Sequence, residues 1–140
     1  MSKMLSFDAP EFKDPALIVE ALCALGFARE RITVGERRAL IDWYGHPAHD
    51  RPADIVVGRG HHERDGAMLH ADIGFEKTPT GYRCHLDHLD RPLGLDTAGF
   101  LTRLKVAYGE RAAHAIAQRV NGTIQRRVEG GKVVLTIRCA

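Results

Sequence analysis

Leu69-His70-Ala71-Asp72-Ile73-Gly74-Phe75-Glu76, followed by Thr78-Pro79-Thr80-Gly81 and then Tyr82-Arg83-Cys84-His85-Leu86-Asp87, is the stretch from which the fold is read. Leu69, Ala71, Ile73 and Phe75 alternate with polar or small residues, as do Tyr82, Cys84 and Leu86, which is the period of a half-buried strand. The residues between them are turn formers. Pairing Lys77 with Tyr82 sets Phe75 opposite Cys84 and Ile73 opposite Leu86, so one register brings both apolar sets to one face. The same register puts Glu76 opposite Arg83, Gly74 opposite His85 and Asp72 opposite Asp87 on the polar face. The inward set is expected to pack against Leu22, Leu25, Leu101 and Leu104.

The rest of the chain arranges itself around this hairpin. Leu5, Phe7 and Ala9 alternate, giving a first strand over 3–9. Asp14 followed by Pro15 is an N-cap acceptor ahead of a proline whose missing N–H costs nothing at the first helical position. Leu17, Ile18, Ala21, Leu22 and Leu25 form one stripe closed by Gly26, so a helix spans about 15–25. Ile32 to Val34 and Arg37 to Trp43 read as two short strands, Gly45-His46-Pro47 as a break, and Ala53 to Val57 as a buried strand. Residues 58–66 read as a polar loop. Phe100, Leu101, Leu104, Tyr108, Ala112, Ala115 and Ile116 recur at helical spacing, giving a second helix capped by Asp96 and running to about Arg119. Thr123 to Glu129 and Lys132 to Arg138, joined by Gly130-Gly131, form a closing hairpin with Val128 opposite Val133. The expected architecture is a single α+β domain over 1–140: two layers, a mainly antiparallel sheet with two helices packed on one face.

Composition narrows the function classes. The chain has 140 residues, 44% hydrophobic and 27% charged, with a formal net charge of +2. These are the values of an ordinary globular protein, and the net charge gives no strong footprint for nucleic acid, which is not an expected partner. No apolar run approaches the length of a membrane span, and the first residues lack an apolar signal core, so a cytoplasmic location without membrane contact is expected. Cys23, Cys84 and Cys139 show no Cys-x-x-Cys spacing, and free thiols are expected rather than a zinc ribbon or redox pair.

Ala24-Leu25-Gly26-Phe27, the Tyr44-Gly45 step, Ala53-Asp54-Ile55-Val56, Asp72-Ile73-Gly74-Phe75, Tyr82, and Phe100-Leu101 with Tyr108 occur in an order and spacing that resembles the family called hypothetical chloroplast reading frame thirty-five, a domain of unknown function found in plastids and bacteria. The histidine-rich loop and the stretch after Asp87 depart from that pattern. The resemblance implies a fold and no established activity. It also implies an accessory or adaptor role beside an ATPase of the AAA class.

Four sets of residues could carry chemistry or binding. The polar face of the central hairpin brings together Asp72, Glu76, Arg83, His85 and Asp87. Directly opposed carboxylates repel unless solvated, protonated or bridged by a cation. Asp72, His85 and Asp87 could therefore ligate a divalent metal in a hydrolase, the alternative being a solvated outer face with a Glu76–Arg83 pair. Trp43, Tyr44, His46 and His49 could border a recognition surface, since exposed Trp and Tyr are enriched at binding hot spots. His61, His62 and Glu63 with His46 and His49 form a histidine-rich set in which His-x-x-His at 46–49 could bring two imidazoles together, the alternative being a flexible polar loop; no His-Glu-x-x-His spacing is present. Arg119, Arg126, Arg127, Lys132 and Arg138 form a basic set with few aromatics, which does not suggest base stacking. No nucleophile elbow, phosphate loop or dinucleotide fingerprint is present. The favoured reading is a non-enzymatic binding or adaptor domain acting through protein contacts, without a cofactor; the metal-assisted hydrolase is the enzymatic alternative, and nucleic-acid binding through the terminal hairpin ranks last.

Overall fold

In a computed structural model, described over residues 4–9, 12–87 and 97–139, the chain is a two-layer α+β structure, as its patterning predicts. Strands β1 (Met4–Ala9), β2 (Ile32–Ile41), β3 (Pro47–Val57), β6 (Ile73–Thr78) and β7 (Gly81–Asp87) make a five-stranded antiparallel sheet in the order β1-β7-β6-β3-β2. The short strands β4 (Gly60–His61) and β5 (Met68–Leu69) pair with each other, as do β8 (Thr123–Glu129) and β9 (Lys132–Arg138). Helices α1 (Pro15–Ala24) and α2 (Thr97–Arg119) and a 3₁₀ turn at Arg29–Arg31 are the remaining elements among the described residues.

Local chemistry explains the boundaries. Asp14 caps α1, its carboxylate accepting from the Ala16 N–H at 2.9 Å, and Gly26 ends the helix at φ +108°, a region that glycine enters without a Cβ clash. The N-cap assigned to α2, Asp96, lies outside the described residues. The β6–β7 ladder has the expected register, with Lys77 opposite Tyr82 and Phe75 opposite Cys84. The β8–β9 ladder likewise has Val128 opposite Val133.

The main core lies between the sheet and the helices. Ile55, Ile73, Phe75, Cys84 and Leu86 meet Ile18, Leu22, Phe100 and Leu104, with Leu25 and Leu101 at its margin. The Cys84 thiol is fully buried, and desolvation pushes its pKa well above the ordinary thiol value. Tyr108, in α2, ties that helix to the residues ahead of α1. Its ring packs on Phe12 at 5.0 Å, and its hydroxyl oxygen accepts from the N–H groups of Lys13 and Asp14 at 3.1 and 3.0 Å.

The structure departs from the sequence expectations on the other face. β2 is one strand rather than two, and it pairs with a β3 that begins at Pro47 rather than Ala53. Both irregularities come from bulges. The ladder shifts between Val34 and Arg38, and again where Ala39 pairs with Pro52 but Leu40 with Ala48. Bulges bend and twist the strand that carries them. β3 pairs with β6 only at Ile55, Val56 and Val57, so the distal arm of β2–β3 is free to curl over the outer face of the sheet. There Leu40, Ala53, Val56 and Ala71 form a second small core. Ala71 therefore belongs to this outer cluster, not to the main core assigned from the sequence.

Candidate functional site

The curled arm converts the polar face of the central hairpin into an interior. Asp72, His85 and Asp87 are 2%, 1% and 3% exposed, where a solvated face was expected. A buried carboxylate must be hydrogen-bonded or paired, and both are. Asp72 sits before β6 and takes no part in the ladder. One of its oxygens accepts from the Arg59 N–H at 2.8 Å; the other accepts from the Ile41 N–H and the Arg38 guanidinium, each at 2.9 Å. The Asp72 N–H in turn donates to the Ile41 carbonyl at 2.9 Å. Asp87 accepts from the Trp43 N–H at 3.0 Å. The two carboxylates expected to confront each other are thus spent separately, as bolts that fasten the arm to the sheet.

His85 goes elsewhere again. Its Nε2 lies 3.0 Å from Glu76 Oε1, while Glu76 Oε2 accepts from Arg37 at 3.0 Å, and Arg37 also reaches Asp54 at 3.0 Å. Arg37, not the Arg83 expected from the register, is the guanidinium on Glu76. Burial holds the His85 pKa below the ordinary imidazole value; Glu76 opposes this, and the cations of Arg51 and Arg83 add to it. Burial raises the Glu76 pKa, but the hydrogen bonds from His85 and Arg37 outweigh it and leave the carboxyl below its usual range. Among the described residues, Asp72, His85 and Asp87 do not form a group that could hold a metal ion.

What the two carboxylates position is the tip of the arm. Asp42 organises this turn: its Oδ1 accepts from the N–H groups of Tyr44 and His46 at 3.0 and 2.9 Å. Gly45 supplies φ +81° at the reversal, and a Cβ there would meet the Arg59 guanidinium at 3.4 Å. Arg59 is itself held, its Nε donating to the His70 carbonyl at 2.8 Å. The Trp43 ring stacks on the His70 ring with centroids 4.1 Å apart and 34° between planes. Trp43 is half-buried, whereas Tyr44 is 56% exposed. The turn therefore gathers Trp43, Tyr44, His46, Arg59 and His70 on backbone that is fixed from below. Sequence reasoning found Trp43, Tyr44 and His46 but missed Arg59 and His70. His49 is exposed and stands apart, in the bulge that follows Ala48, with no hydrogen bond or ring contact to the tip among the described residues.

The histidine loop is anchored rather than free. Arg31 is buried and bridges to Asp65 at 3.3 Å, both side chains nearly inaccessible. Arg31 also donates to the carbonyls of Gly60 and Ala67, and Asp65 accepts from the N–H groups of Ala28 and Ala67, each at 2.9 Å. Burial raises the Asp65 pKa, and these donors together carry it below the usual range. His62 is half-buried, its Nδ1 accepting from the Arg64 N–H at 3.3 Å, while His61 is exposed. A cavity of about 500 Å³ lies beside this staple, lined by Leu25, Phe27, Phe100 and Arg103, and its acid, Asp65, is already committed.

Arg126 pairs with Glu110 at 2.8 Å, and Arg127 with Glu129 at 3.0 Å. No helix among the described residues is long and apolar enough to cross a membrane. Comparison with family models, with curated proteins and with solved structures gives no match.

Proposed function

We propose that this chain is a non-enzymatic binding module acting through protein contacts, and that its contact surface is the tip formed by Trp43, Tyr44 and His46 with Arg59 and His70. One observation carries the reading: an exposed Tyr44 stands on a turn whose neighbouring backbone is bolted to the sheet by the buried carboxylates of Asp72 and Asp87. Fixing the backbone that presents an aromatic side chain before binding lowers the entropic cost of association. Tyr and Trp are also the residue types that dominate interface energies. Arg59 and His46 add donors around the aromatic centre. The partner class implied by the sequence resemblance is an ATPase of the AAA class, and a cytoplasmic location belongs to the same reading. The metal-assisted hydrolase built on Asp72, His85 and Asp87 has less support, because each of those side chains is engaged by a different protein group.

The test is affinity capture from a native extract with the full chain and with Tyr44→Ala. The expected result is a partner retained by the first and lost by the second, at an unchanged thermal midpoint. A partner held equally by both removes the tip as the contact surface.

A further inference from the structure

The charge of this chain is unevenly placed. Residues 97–140 carry eight Lys and Arg against two acids, net +6, whereas residues 1–96 carry twelve against sixteen, net −4. The whole-chain value of +2 conceals this division. Opposite signs in two parts of one chain are an electrostatic signature of a polyanion site.

The basic part ends in β8–β9, a two-stranded ribbon separate from the five-stranded sheet. One face of the ribbon packs on α2: Arg126 bonds Glu110, and Val133 and Leu135 line a seam with Val106 and Gly109. Strand alternation turns the other face away from the helix. That face carries Arg127, Lys132 and Arg138 among Thr123, Gln125, Val134 and Thr136, with Lys132, at the end of the ribbon, also bordering the seam with α2. Its one acid, Glu129, is paired with Arg127. The connecting residues Gly130 and Gly131, at φ +55° and +76°, leave the leading end of the ribbon without side chains.

We propose that the β8–β9 ribbon inserts into the major groove of duplex DNA. The groove is about 12 Å wide and admits a two-stranded ribbon. Strands about 4.8 Å apart and seven residues long give a ribbon roughly 24 Å in length. Lys132 and Arg138 lie at opposite ends of it, where phosphates flank the groove. Arg127, Gln125 and Thr136 lie between them and have the donors and acceptors that read base edges. The major groove of A-form RNA is too deep and narrow for such a ribbon, and the ribbon has no aromatic residue on which single-stranded bases could stack. The sequence expectation against nucleic acid rests on net charge and scarce aromatics, and neither bears on a ribbon that reads a groove. This site is independent of the Trp43–Tyr44 tip.

The experiment is fluorescence anisotropy of a labelled duplex of about 20 base pairs, titrated with the full chain at several salt concentrations from about 50 mM upward. Affinity is expected to fall steeply with salt. The Arg127→Ala/Lys132→Ala/Arg138→Ala variant is expected to lose at least about tenfold in affinity and to shallow the salt slope by about 2, one increment for each of the phosphate contacts of Lys132 and Arg138. Its thermal midpoint should hold, because all three side chains are exposed. Arg64→Ala, a single charge removed from the acidic part, should bind as the unaltered chain does. Absence of salt-dependent binding, a triple variant that binds normally, equal or tighter binding of duplex RNA or single strands, or self-association through the ribbon with no DNA bound would each overturn the proposal.

Discussion

The side chain of Leu40 fills the space directly above Gly74: a Cβ on Gly74 would stand 2.5 Å from both Leu40 δ carbons and 2.8 Å from the Ala53 Cβ. Glycine at 74 is thus the condition for the arm to lie flat on the sheet. Gly74→Ala is expected to destabilise the protein by about 1–3 kcal/mol through overpacking. Leu40→Ala should cost about 2–5 kcal/mol on its own. The double variant should cost clearly less than the sum, since the second change removes the Leu40 part of the clash made by the first, leaving only the Ala53 contact. Denaturant melts of the four proteins measure this, and strict additivity would mean the two residues do not touch.

Asp72→Ala removes the acceptor for two backbone N–H groups, those of Ile41 and Arg59. Each orphaned buried donor costs about 1–3 kcal/mol, so a loss of at least about 2 kcal/mol is expected. Because the same carboxylate anchors the arm, the emission of Trp43 should shift before global unfolding, which separates release of the tip from simple loss of stability.

Trp43 is the only tryptophan, and its ring is covered by His70 on one side. Acrylamide should quench it to an intermediate degree. His70→Ala should raise the quenching constant with little change in midpoint. Quenching at the level of a fully buried indole would argue that Trp43 offers no surface to a partner.

The His85 pKa is depressed by burial, so the unfolded chain takes up a proton at higher pH than the folded one. Stability contributed by the neutral ring is full above about 6.5, the ordinary imidazole value, and declines as pH falls below it. Glu76, also depressed, extends the decline below the ordinary carboxylate range. His85→Gln should flatten stability against pH between about 5 and 7. Thermal midpoints across that range provide the check.

Tyr108→Phe keeps the ring against Phe12 and removes the oxygen that accepts from Lys13 and Asp14. A loss of about 1–2 kcal/mol is expected, at the lower end for orphaned donors because this contact is only partly buried. Hydrogen exchange at the first turn of α1 should quicken first.

The elements that sequence fixes correctly are those decided by neighbours in the chain. Asp14-Pro15 and Gly26 bound α1 by capping chemistry, and the registers of β6–β7 and β8–β9 follow from alternation across tight turns. The candidate site was only half legible. Trp43, Tyr44 and His46 stand out by residue type, whereas Arg59 and His70 join them only through the fold. The burial of Asp72, His85 and Asp87 depends on bulges 34–53 residues earlier along the chain than His85 and Asp87, and the alternation of the hairpin itself does not record it. One signal was available: a glycine at 74, between Ile73 and Phe75 in an otherwise continuous strand, marks close approach by another segment. Applied there, that rule points to a covered face rather than a solvated one.

The position of β1 has a consequence for synthesis. β1 holds residues 4–9 but pairs only with β7, residues 81–87, and the N-terminal end of α1 is tied by Tyr108. A chain emerging from the ribosome can close the β6–β7 hairpin early, because that contact is local. β1 must wait, with an unsatisfied strand edge, until β7, more than 70 residues later, has been made. β1 is therefore translated well before it can be secured, and a nascent chain stalled before β7 would expose that edge to any neighbour.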